Sequence, residues 1–392
     1  MGNPTALVQS PPYPGEFSAL YEELSTNLSN RENELRADWD GVHAPVIYAA
    51  TLLSASSNNG SKLLDPTFRA GNRLIINRLA SLGIQGIVLQ INYPLLTSSF
   101  TTDAPAYLMA FGEIADEIRA LSLKVIVEHN VLLPGYSLLD PASYYSTLDK
   151  KRFGQENYAE VRDIVEQVNP DYLSLVTEPG TVESAIKLQM SVTEWSVYVA
   201  EIVNQLSIDV PESTTKLGAG SGTWETPDFV TNFASIEGLD FIDIHSYPLT
   251  NNFTDYLKLM ETWPALVRTI NTSLEIISSE TWLYKAQASE LGREPTTPIF
   301  LARDAYNFWE PLDSQFLDVL TITAHKNDYA VIAPFWSTYF FAYLDYNDPS
   351  LLGLTPMEIL GRTFSASSRA IQDGQTTGLG DHYQKLIEDD GR

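Results

Sequence analysis

The 392-residue chain contains no cysteine, which excludes disulfides, thiolate catalysis and cysteine-based zinc sites. It is also poor in basic residues. Against 50 Asp and Glu stand 24 Lys and Arg, a formal charge of −26 that is spread along the chain instead of gathered in a tail. Such a surface repels phosphate backbones and anionic lipid, so no nucleic-acid or membrane partner is expected, and a neutral or cationic substrate fits better. No long uncharged apolar run is present, which removes a membrane-spanning helix. Histidine is scarce as well. The five residues form neither a His-x-His nor a His-Glu-x-x-His pattern, and no metal or other cofactor is expected.

What is present suits a globular protein with a sizeable core: 44% of residues are hydrophobic and 19% charged. Eight apolar, β-branched runs follow one another: Val46 to Leu53, Gly86 to Tyr93, Lys124 to His129, Tyr172 to Thr177, Thr215 to Gly220, Asp240 to Tyr247, Leu274 to Glu280 and Ala330 to Trp336. Runs of this kind are strands buried on both faces of a parallel sheet, the fifth being the weakest. Between them lie segments of helical period, among them Pro105 to Leu121, Asn157 to Val168, Val192 to Leu206, Phe253 to Ile270 and Ala302 to His325. A last one, Pro356 to Gln372, opens with the capping box Thr355-Pro-Met-Glu358.

The alternation predicts an α/β fold, a (β/α)8 TIM barrel, over residues 41–374. No Gly-rich phosphate fingerprint follows the first strand, which counts against a dinucleotide-binding sheet. Residues 1–40 form an N-terminal helical extension that packs against or plugs the barrel bottom, and 375–392 form a loosely docked polar tail. The start, Met1-Gly-Asn-Pro-Thr, has no basic and apolar signal regions. The polar Ser10 to Phe17 stretch that follows reads as the beginning of a secreted or periplasmic mature protein.

Active sites on such barrels sit at the C-terminal ends of the strands. Those ends are rich in polar and aromatic residues: Asn92 on the second, Glu128, His129 and Asn130 on the third, Thr177 and Glu178 on the fourth, His245 and Tyr247 on the sixth, Glu280 and Trp282 on the seventh, Trp336 on the eighth. Glu178 and Glu280 end strands that face one another across the mouth. Two carboxyl groups about 5–5.5 Å apart are what a retaining glycosidase needs, one to protonate the leaving oxygen and one to attack the anomeric carbon. A neighbouring carboxylate favours the protonated form of the acid. A single strand-end Glu is as often a salt-bridge partner; a pair on the fourth and seventh strands is far more specific. Trp224, Trp282 and Trp336 are candidate sugar platforms, each alone equally well a packing residue. Asn92, Glu128, His129 and Asn130 are candidate hydroxyl contacts, and Glu225 is a fallback carboxylate or, more blandly, has a role at the start of the fifth helix.

This arrangement resembles clan A of the glycoside hydrolases, and the resemblance runs from about Val46 to Gln372. Asp243-Ile-His245-Ser-Tyr247-Pro248 is similar to the sixth-strand segment of family 5 cellulase-like enzymes and family 53 galactanases. The resemblance implies Glu178 as acid/base, Glu280 as nucleophile, Tyr247 as a hydrogen-bond donor to the nucleophile, and His245 in substrate binding. It also implies a β-linked oligo- or polysaccharide as the partner. One departure is plain: most of the clan carry Asn before the acid/base, where it binds the sugar 2-hydroxyl, and this chain has Thr177. The long segments Val131 to Ser146 and Ala286 to Pro298 suggest the walls of a cleft and endo action, by a monomer.

Two other readings stand beside it. A metal-dependent hydrolase or isomerase would use Glu128, His129, Glu178, His245 and Glu280, with Asp243 deeper in the barrel. A non-catalytic carbohydrate-binding barrel would keep the aromatic groove without needing both carboxylates.

Overall fold

The computed structural model describes residues 13–249, 253–287, 290 and 296–391. Its eight strands are β1 (Ile47–Thr51), β2 (Gly86–Gln90), β3 (Lys124–Glu128), β4 (Tyr172–Ser174), β5 (Lys216–Gly222), β6 (Phe241–His245), β7 (Glu275–Thr281) and β8 (Tyr329–Pro334). They pair in chain order as one closed barrel, every neighbour parallel. The expected (β/α)8 barrel is therefore present, and each apolar run of the sequence overlaps one of its strands.

Burial on both strand faces explains why the runs lack alternation. Ala49, Val88, Ile126, Tyr172, Phe241, Ile277 and Val331 fill the interior as one cluster, while a larger cluster lies between the sheet and the surrounding helices. β5 reads weakly as a strand because it is small by necessity. A Cβ on Gly218 would stand 2.2 Å from the Phe241 ring, and one on Gly220 would stand 2.1 Å from the Asp243 carbonyl oxygen. The neighbouring β6 thus fills space that β5 gives up.

The helices follow their local signals. Thr355 and Ser191 each close a reciprocal capping box, with Glu358 and Glu194. The helix expected over 302–325 is two, Thr296–Asp304 and Glu310–Lys326, because Pro311 sits in the first turn of the second, where its missing N–H costs nothing. Helix Ser18–Asp38 buries Leu24, Leu28 and Leu35 along the flank against helix Glu310–Lys326. The extension therefore packs on the barrel and does not plug it. The expected loose tail is instead helix Gly378–Asp390. Leu379, Tyr383 and Ile387 recur every four residues and are buried, with the Tyr383 hydroxyl donating to the Ala49 carbonyl (3.0 Å). Among the described residues no helix is long and apolar enough to cross a membrane.

Because β5 has no room for side chains at its inward glycines, Gly220→Ala is expected to destabilise the barrel by about 1–3 kcal/mol, the usual cost of overpacking. Urea unfolding would register it as a lower midpoint, and an unchanged midpoint would mean that β6 yields freely.

Candidate active site

The C-terminal strand ends bring four carboxyl groups around one imidazole. Alternation along β6 sends Asp243, His245 and Tyr247 to the same side, and all three are buried. His245 Nδ1 lies 2.9 Å from Glu178 Oε1, and its Nε2 lies 3.1 Å from the Ser279 hydroxyl, 3.7 Å from Asp243 Oδ1 and 3.8 Å from Glu128 Oε1. Asp243 is held from both sides: the Ser174 and Ser279 hydroxyls each donate to Oδ2 at 2.6 Å, and the Ser279 amide donates to Oδ1 at 3.0 Å. Glu178 stands at the head of helix Pro179–Ile186, with the Thr181 hydroxyl donating to its second oxygen at 2.7 Å. Tyr247 donates its hydroxyl to Glu280 Oε1, and Gln90 Nε2 bridges Glu280 Oε2 and Glu128 Oε2, 3.2 Å from each. One oxygen of Glu178 and one of Glu280 lie within 4.8 Å of each other.

Such crowding fixes the protonation pattern. Burial opposes charge on His245, but Asp243 and Glu178 outweigh it and hold the imidazole in its charged form. In turn, against its own burial, Asp243 is kept ionised by His245 and the two serine hydroxyls. Glu280 is pushed up to about 7, chiefly by burial and then by Glu178, with His245 and the Tyr247 hydroxyl pulling the other way. Burial and the adjacent Glu280 carry Glu128 well above the carboxylate range, so it holds a proton at neutral pH. Among the described residues no Lys or Arg forms an ion pair with any of the four carboxyls.

Glu178, His245 and Glu280 are near enough to share an ion, but the two ring nitrogens of His245 already face the Glu178 carboxyl and the Ser279 hydroxyl. This bears against the metal-centred alternative at this site.

The other expected contacts divide. Asn130 donates its amide to the Thr177 hydroxyl at 3.0 Å, so an amide stands beside the position where Thr177 interrupts the clan's pattern. Trp224 is 38% exposed and tilted over the Tyr247 ring at 5.9 Å, and Trp336 is half-buried with its edge on Phe335. Asn92 is buried below the surface, its backbone amide donating to Ser57. Two residues depart from expectation. His129 points outward between sheet and helices, donating from Nδ1 to the Ile91 carbonyl (2.7 Å) and facing Asn157 through Nε2 (3.0 Å), and burial lowers it to about 4. Strand parity is the reason: Glu128 points inward, so its successor cannot. Trp282 has no exposed surface; its indole donates to Asp304 (2.6 Å) and stacks on Tyr339, so it packs and offers no sugar platform.

Glu225 serves the start of a helix, but of Pro179–Ile186 after β4 and not of the helix after β5. It accepts from the Gly180 amide (2.6 Å), the Gly222 amide (2.9 Å) and the Ser221 hydroxyl (2.7 Å), tying the loop behind Glu178 to β5. Sequence reasoning does not single out Ser174 or Tyr284. Ser174 is small and lies below the strand end, and Tyr284, stacked on Tyr247 at 4.7 Å, comes four residues after Glu280, beyond the strand.

No protein-family profile matches the sequence, and no curated protein matches it significantly. Solved structures do. An exo-β-1,4-mannosidase, Op5Man5 from Opitutaceae bacterium strain TAV5, superposes with a TM-score of 0.58 at 13% identity over 88% of this chain; the chain spans 59% of that enzyme's length. A family 5 subfamily 18 glycoside hydrolase from Bifidobacterium longum subsp. infantis gives 0.57 at 11% identity, covering 89% of this chain and 79% of that one. A point variant of a subfamily 18 protein from Bifidobacterium longum subsp. longum, in complex with Manβ1-4GlcNAc, gives 0.55 at 11% identity, covering 88% and 78%. The barrel is thus of the architecture found in family 5 of the clan A glycoside hydrolases.

The raised Glu280 links the site to stability. Its native form binds a proton more tightly than the unfolded chain does, so its contribution is fully present below pH 4.5 and is lost as pH rises through about 7. Glu280→Gln is therefore expected to stabilise the fold at pH 8 by about 2 kcal/mol relative to its effect at pH 4.5. Thermal unfolding at the two pH values checks this, and equal effects would sink it.

Proposed function

We propose that this chain is a retaining glycoside hydrolase acting on a β-linked oligo- or polysaccharide, with Glu280 as nucleophile and Glu178 as acid/base. The observation that carries the reading is the facing pair of carboxyls, within 4.8 Å at their nearest oxygens. That matches the roughly 5–5.5 Å of double displacement and falls short of the ~6.5–9.5 Å that an inverting enzyme needs to lodge a water between them. Glu280 attacks the anomeric carbon as Glu178 gives its proton to the departing glycosidic oxygen; Glu178 then takes a proton from the water that releases the sugar from Glu280. Tyr247 orients and stabilises the Glu280 carboxylate, while His245 and Thr181 orient Glu178.

Asn130, aligned by Thr177, stands in for the missing Asn as donor to the 2-hydroxyl, a contact that strengthens in the transition state. Trp224 and Trp336 are the platforms that remain once Trp282 is withdrawn. Val131 to Ser146 supports one cleft wall, anchored where the Leu138 amide donates to the Asn58 carbonyl. The opposite wall, Ala286 to Pro298, falls partly outside the described residues. β-Mannosides head the substrate panel, since a mannosidase and a Manβ1-4GlcNAc complex are among the structural neighbours.

Aryl β-glycosides and β-linked polysaccharides are to be assayed with EDTA present. Glu178→Ala should lower kcat about 10²–10⁴-fold on polysaccharide and less on aryl glycosides, whose leaving group needs little protonation. Glu280→Ala should abolish turnover, with azide returning a glycosyl azide of inverted configuration. Activity that needs a metal, or that survives both substitutions, refutes the assignment. On the free enzyme, kcat/KM should fall on the acid side of about pH 7 as Glu280 takes up its proton. Tyr247→Phe, which removes a donor to Glu280, should move that limb upward, and a limb that stays put would exclude Glu280 as its origin. Asn130→Ala should lower kcat on the parent sugar and spare its 2-deoxy analogue; equal losses on both would remove Asn130 from the 2-hydroxyl.

A further inference from the structure

At the opposite end of the barrel a second group of ligand-type side chains comes together from three distant parts of the chain. His43 lies in the segment after helix Ser18–Asp38, His325 in the last turn of helix Glu310–Lys326, and Asp390 at the end of helix Gly378–Asp390. One potential ligand atom from each lies within 4.8 Å of the other two. Asp390 Oδ1 is 2.8 Å from His43 Nδ1 and 3.3 Å from His325 Nε2.

The tautomer of His325 is fixed by its surroundings. Its Nδ1 faces the Ala44 carbonyl at 3.0 Å, which can only accept, so Nδ1 carries the proton. On a neutral ring Nε2 then holds a lone pair, and that lone pair looks toward the Asp390 carboxylate and the Tyr48 hydroxyl, which donates to it at 3.2 Å. A lone pair facing a carboxylate oxygen is repulsive unless a cation lies between them. A second ring proton would serve. A metal ion would serve equally and needs the lone pair that is there. An N–H bonded to a backbone carbonyl, with the other nitrogen aimed at a carboxylate, is the usual outer support of a metal-bound imidazole. For ligands at about 2.0–2.1 Å, a tetrahedral edge measures about 3.3–3.4 Å; Nε2 and Oδ1 stand that far apart, whereas His43 Nδ1, hydrogen-bonded to Oδ1 at 2.8 Å, would draw back as an ion replaced that bond.

We propose that His43, His325 and Asp390 form a binding site for a zinc-like divalent ion. Two imidazoles and one carboxylate suit a borderline-soft ion and not calcium or magnesium, which need more oxygen ligands. The half-exposed His43 leaves a fourth position open to water. The Tyr48 hydroxyl, freed from Nε2, is within reach of Asp390. Since Tyr48 lies near the start of β1 and His325 precedes β8, the ion sits at the face of the barrel away from Glu178 and Glu280. Its effect is to clip the N-terminal and C-terminal segments to the barrel, independently of hydrolysis.

The full-length protein, stripped with chelator, is titrated with zinc chloride by calorimetry and followed by thermal unfolding. One equivalent should bind and raise Tm by a few degrees at a hundredfold excess over Kd. His43→Gln and Asp390→Asn, both at solvent-accessible positions, should each lose the binding and the Tm rise while keeping hydrolytic activity. Glu280→Gln should keep both, which separates this ion from any held between Glu178 and Glu280. No saturable binding, or binding that survives His43→Gln and Asp390→Asn, overturns the proposal.

Discussion

One buried imidazole holds the mouth of this barrel together. Four carboxyl groups, Glu128, Glu178, Asp243 and Glu280, converge on His245, and no other cation pairs with any of them among the described residues. Two like charges 4 Å apart repel by about 4 kcal/mol even at an effective dielectric of 20. Full ionisation of all four is therefore out of reach, and the site settles into a graded pattern. Asp243 is charged and pairs with the imidazolium, Glu128 keeps its proton, and Glu280 lies between them near neutrality. A carboxyl group poised in this way stands close to its ionisation midpoint at neutral pH, and the Tyr247 hydroxyl and the Gln90 amide hold its charged form in place.

That arrangement makes demands on the sheet beneath it. Asp243 lies one layer below His245, and a charged side chain at that depth fits only because β5 offers glycine at 220. Ser174 and Ser279 then meet Asp243 with hydroxyls where barrel interiors usually carry branched aliphatics. The weakness of β5 as a strand and the strength of the site above it share one cause. On the far side of Glu178, the Glu225 carboxylate gathers two backbone amides and a hydroxyl, so the turn carrying Glu178 is held by bonds that leave both of its carboxylate oxygens to His245 and Thr181.

Much of this was legible in the sequence. Glu178, Tyr247, His245 and Glu280 were readable because each ends an apolar run, and on this architecture a strand end is an address. The failures are equally physical. His129 adjoins Glu128, which points into the carboxyl cluster, but a shift of one position along a strand reverses the side chain, so nearness to Glu128 in sequence meant distance from the cluster in space. Trp282 follows Glu280 by two residues, yet Asp304, brought from a separate helix, draws its indole inward. No local signal announces a partner so far along the chain. The C-terminal helix looked like a tail because its apolar residues, Leu379, Tyr383 and Ile387, are few enough to be masked by their charged neighbours until their four-residue spacing is counted.

The two ends of the barrel show how little separates a held charge from a held lone pair. His245 and His325 are both buried and both lie beside carboxylates. At His245 the groups opposite the two nitrogens are a carboxylate and a hydroxyl, both able to accept, and a second carboxylate stands behind, so the ring keeps both protons and acts as a fixed positive charge. At His325 the backbone carbonyl of Ala44 takes one proton, the Tyr48 hydroxyl faces the other nitrogen, and His43 adds an imidazole where the upper site has carboxylates, so that second nitrogen is placed to present a lone pair. The same side chain, flanked by a different ratio of acceptors to donors, therefore serves electrostatics at one end and offers coordination at the other.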